Sequence, residues 1–68
     1  MTTTPKTNEA ALAAFMAGKT EIDVLLARIT TASHDHFGTS PERVTWGDAG
    51  SLGFITERLK EITEFLGV

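Results

Sequence analysis

The chain has no cysteine, few basic residues and no apolar run long enough to cross a bilayer. The first absence excludes disulfides and every thiolate zinc site. The second matters for nucleic acid. Six Lys and Arg against nine Asp and Glu leave a net charge of −3. The basic residues Lys6, Lys19, Arg28, Arg43, Arg58 and Lys60 are scattered rather than striped, so no electrostatic footprint for a duplex is present. The third excludes a spanning helix, which needs about 18 or more apolar residues in succession. Met1 to Lys6 lacks the apolar core of a signal peptide. The expected location is cytoplasmic. There is no strand alternation, internal repeat or low-complexity tract.

What the chain does have is helical spacing. Leu12, Phe15, Ile22, Leu26 and Ile29 recur at intervals of three and four, with Lys19 filling one slot and Met16 and Leu25 widening the stripe. Alanines at 10, 11, 13, 14 and 17 favour helix, and Gly18 weakens it by roughly 1 kcal/mol. Thr4 is expected as an N-cap with Pro5 at the first helical position, Thr7 and Asn8 being alternative caps. Residues 1–6 are expected to fray. The register continues through Ser33 and His36, and Gly38 reads as the glycine just past the helix end. Helix 1 is therefore expected from about 5–9 to about 36.

Ser40-Pro41-Glu42 predicts one short helical turn. Thr45, with Asp48 three residues on, predicts the cap of a second helix. Leu52, Ile55, Leu59, Ile62 and Leu66 then form a heptad seam, with Glu57, Arg58, Lys60, Glu61 and Glu64 on the other face. Gly67 and Val68 resemble a helix C-cap with a trailing apolar residue. The expected fold is all-α: a helical hairpin with a long first helix, a short turn and a second helix, in a single domain over 1–68. A 68-residue chain buries only about 60% of its unfolded surface and is marginal alone. One seam between two helices also leaves Met16, Val24, Leu25, Phe54 and Phe65 uncovered. A homodimeric four-helix bundle is the expected assembly.

Three features invite a chemical reading. His34-Asp35-His36 suggests a metal site, but residues two apart on a helix point in different directions, so we read it as structural, with His36 on the apolar seam and the helix dipole favouring a histidine cation. The stretch from Trp46 to Gly53 places Gly47, Gly50 and Gly53 three residues apart, at a propensity cost of about 2–3 kcal/mol. We read the stripe first as a close approach of helix 1 near Gly18, with Trp46 closing the end of the core. On that reading Gly50→Leu overpacks the contact. The alternative is a notch for partner docking, lined by Trp46, Gly47, Asp48, Gly50 and Gly53. A phosphate loop is disfavoured, because its lysine, its hydroxyl residue and the preceding strand are missing. No nucleophile–base constellation is visible, so no catalytic, cofactor-binding or metal-binding residue is assigned and the protein is not expected to be an enzyme.

The run Asp35-His36-Phe37-Gly38, followed by Pro41, Val44, Trp46-Gly47, Gly50 and Leu52, resembles a pattern in short uncharacterised proteins of proteobacteria, several encoded on plasmids or other mobile elements. The resemblance covers roughly residues 9–66. Asp48 stands where those proteins often carry another residue, which puts a functional role for it in doubt. The resemblance implies a context and no activity. The expected function is that of a small interaction module, binding itself and an unidentified protein through the surface of its bundle, with no direct nucleic-acid or membrane contact. The alternative is an accessory factor of a mobile element that modulates a host nucleic-acid-processing or defence complex by binding one of its proteins. An RNA-binding hairpin dimer is disfavoured by the few basic residues.

Overall fold

The computed structural model describes the backbone of residues 3–68 and the side chains of residues 8–68. Among these residues the chain is all-α, with no strand. Helix α1 spans Thr3–His34 and helix α2 spans Trp46–Leu66. Two single turns, His36–Gly38 and Pro41–Arg43, lie between them. The chain divides into two compact units, Met1–Asp35 and His36–Val68.

α1 begins before Thr4, its expected cap, and carries Pro5 inside the first turn. That position tolerates proline because the first four amide groups of a helix have no intrahelical acceptor. Of residues 1–6, expected to fray, 1 and 2 lie outside the described residues, and 3–6 are helical backbone.

The far end of α1 departs from expectation. The helix stops at His34, not at 36, and a last tight bond runs from the Asp35 amide to the Ala32 carbonyl at 3.1 Å. His36 then takes a φ of +54° and Phe37 a φ of +53°, ahead of Gly38 at +77°. These three residues form one left-handed turn, closed by the Thr39 amide donating to the His36 carbonyl at 3.0 Å. His36 is therefore off the helix and cannot extend the apolar seam. For residues other than glycine, left-handed backbone costs about 1–2 kcal/mol each.

The second unit follows its local signals. Ser40 precedes the Pro41–Arg43 turn, though its side chain makes no capping bond; its carbonyl accepts from the Arg43 amide at 2.9 Å. At the start of α2 a full capping box forms. The Thr45 hydroxyl oxygen accepts from the Asp48 amide at 3.2 Å, and Asp48 Oδ2 accepts from the Thr45 amide at 3.0 Å and from the Thr45 hydroxyl at 3.1 Å. At the far end Gly67 is left-handed (φ +77°). Its amide donates to the Thr63 and Glu64 carbonyls, and the Val68 amide donates to Thr63 at 3.0 Å. That is the crossed pair of bonds by which a glycine just past the last turn satisfies a helix's final carbonyls.

Candidate association surface

The spacing of α1 assigns Leu12, Lys19, Leu26 and Ser33 to the first apolar position of each heptad and Phe15, Ile22 and Ile29 to the fourth. On α2 the first position holds Leu52, Leu59 and Leu66, and the fourth holds Ile55 and Ile62. Both helices thus place leucine first and isoleucine fourth, apart from Phe15 and the polar residues Lys19 and Ser33. Beside the seam the flanking positions are mostly small or neutral: Ala11, Met16, Gly18, Leu25, Thr30 and Ala32 on α1, and Ala49, Ser51, Thr56, Thr63 and Phe65 on α2. Asp23 and Arg58 are the charged exceptions within these spans.

No described side chain is buried. A single helix cannot cover its own stripe, and the seam shows it. Phe15 is 68% exposed and Ile22 56%, while Ile55 and Leu59 are half-buried. A shallow open depression along α1 is lined by Val24, Ala27, Arg28, Thr31 and Ala32.

Within its own unit nothing crowds the glycine stripe. A Cβ built at Gly18, Gly50 or Gly53 meets no atom within 4 Å, and one at Gly47 meets only the Thr45 hydroxyl at 3.6 Å. The helix register gives the reason. Gly50 lies nine residues before Leu59, two and a half turns, and so faces the opposite side of α2. Gly47 and Gly53 are each about 120° from Leu59. Trp46, expected to close the core, is 92% exposed.

Asp48 is taken up by the capping box, which accounts for it structurally. Gly47 accepts a bond from the Ser51 hydroxyl at its carbonyl, 3.2 Å away. The outer face of α2 has a character of its own. It carries Trp46, Phe54 and the carboxylates of Glu57, Glu61 and Glu64, with the Arg58 guanidinium stacked 5.2 Å from the Phe54 ring centre and 2.9 Å from Glu61 Oε2. Lys60 lies 3.9 Å from Glu57. Sequence reasoning placed these carboxylates on the face away from the seam but did not join them to the glycines that share it. Counting Glu57, Glu61 and Glu64 around the helix from Leu59 is the signal that joins them.

His34 closes α1 and His36 sits in the left-handed turn, so the pair do not share a helix. Among the described residues no group of three metal-ligating side chains assembles. No helix there is long and apolar enough to cross a membrane. The chain matches no protein-family model, no curated protein and no solved structure.

Proposed function

We propose that the protein is a non-enzymatic interaction module that associates with a second copy of itself through its leucine–isoleucine seams, forming a four-helix bundle, and that the bundle surface binds another protein. The observation that carries this reading is the pair of seams on α1 and α2, with no side chain buried among the described residues. Leucine at the first and isoleucine at the fourth heptad position favour more than two helices about one axis in parallel coiled coils. Neutral flanks suit a bundle, where those positions are half-covered.

A second reading, a mobile-element accessory factor that modulates a host nucleic-acid-processing or defence complex, draws on the outer face of α2. Glu57, Glu61 and Glu64 cluster in the C-terminal half of that face, which suits a basic protein surface.

Helicity melts at graded protein concentration test the first reading. A melting temperature that climbs with concentration supports self-association, and one independent of concentration removes it.

A further inference from the structure

We propose that the His36–Gly38 turn is a two-state element at the boundary of the units Met1–Asp35 and His36–Val68: the left-handed turn exchanges with a right-handed continuation of α1 through Gly38. The proposal does not rest on self-association. Three consecutive residues are left-handed there, His36 at φ +54°, Phe37 at +53° and Gly38 at +77°. Chains of L-residues visit that region one residue at a time, and only glycine enters it freely. Strained backbone of this kind persists as the sole conformation when its surroundings over-determine it. Here they do not. Among the described residues no side-chain hydrogen bond or ion pair involves residues 34–38. All five are exposed. The hydrogen bonds that hold the turn are main-chain ones, from the Asp35 amide to Ala32 and from the Thr39 amide to His36.

The competing state is written in the same residues. The register of α1 runs through Leu26, Ile29, Ser33 and His36. Right-handed backbone at 35–38 lengthens the helix by one turn and brings His36 to the fourth heptad position, one heptad after Ile29. The Phe37 and Gly38 amides then donate to the Ser33 and His34 carbonyls, the ordinary helical pattern. Pro41 sets the limit of the continuation. Ser40 is extended (φ −67°, ψ 129°), the conformation that a following proline imposes. The two states are favoured by different residues. Gly38 and the break ahead of Pro41 favour the turn. The handedness of His36 and Phe37 favours the helix. Local preference and observed backbone therefore conflict within three residues, and the balance between them decides where α1 ends and whether His36 belongs to its seam.

Backbone carbon chemical shifts and relaxation-dispersion NMR of the full chain test this. In the wild type, residues 35–39 should exchange with a minor helical state populated at about 0.1–10%. Gly38→Ala removes the residue best suited to left-handed backbone, and no atom lies within 4 Å of the added methyl, so the change acts through φ and not through a clash. It should raise the helical population of His36 and Phe37 at least about tenfold, seen as shifts moving toward helical values. His36→Gly should move them the other way and quench the exchange. Gly67→Ala, the same substitution at the same φ of +77° at the end of α2, is the control and should leave residues 36–38 unmoved. A Gly38→Ala protein that keeps left-handed shifts at His36 and Phe37, losing only stability as Gly67→Ala does, overturns the proposal. Should Gly38→Ala fail to fold, the wild type decides: a minor state with helical shifts at 36 and 37 supports the two-state turn, and no exchange there overturns it.

Discussion

α1 and α2 are both amphipathic helices with the same heptad lettering, yet they are specified differently. α2 has a closed capping box at Thr45, a left-handed glycine at Gly67 and a seam unbroken from Leu52 to Leu66. α1 is longer and richer in alanine, but its seam is interrupted by Lys19 and it ends in a left-handed turn built on His36 and Phe37. The contrast shows two ways of delimiting a helix. α2 is bounded by side-chain and backbone hydrogen bonds encoded within a few residues. α1 is bounded by a change of backbone hand for which the local residues are poorly suited.

The largest expected effect breaks the seam of the better-specified helix. Leu59→Asp sets a carboxylate in the middle of the α2 seam. It should destabilise the assembly by more than about 3 kcal/mol, read as loss of cooperative melting and of self-association together. Retention of both would place the interface elsewhere. Next comes the cap. Thr45→Ala should cost about 1 kcal/mol in urea unfolding, and Asp48→Ala a similar amount. The double variant should cost less than the sum, because the two residues satisfy each other.

The remaining two changes should stabilise. Gly50→Ala, on the open side of α2, should gain up to about 1 kcal/mol through helix propensity, and Gly50→Leu should also gain because no neighbouring atom stands in the way. A loss on either change would mean that this face is covered in the assembly. His36→Gly should gain roughly 0.5 kcal/mol: relief of left-handed backbone exceeds the extra freedom that glycine gives the unfolded chain. A loss there would show that the His36 side chain contributes more than its strained backbone costs.

Much of this architecture was legible in residue spacing. The α2 box, its terminal glycine and both seams follow from Thr45, Asp48, Gly67 and the intervals of three and four. Two features were not. The left-handed turn at His36 and Phe37 has little signature, since histidine enters that region only somewhat more readily than most residues and phenylalanine does not favour it. The helical register carried on past it because periodicity records faces and not handedness. The glycine stripe was less legible for another reason. Its propensity cost suggested a compensating close contact, but the offset from Gly50 to Leu59 places it on the outer face. Of the residues considered for docking, Trp46 stands exposed at the start of α2, whereas Asp48 is explained by the cap.

The central claim is that a second copy covers these seams, and sedimentation equilibrium at micromolar concentration tests it most directly. The account predicts twice the 7.3 kDa chain mass, falling toward the single-chain value on dilution together with loss of helicity. A 7.3 kDa species that stays fully helical and melts cooperatively at every dilution would contradict it.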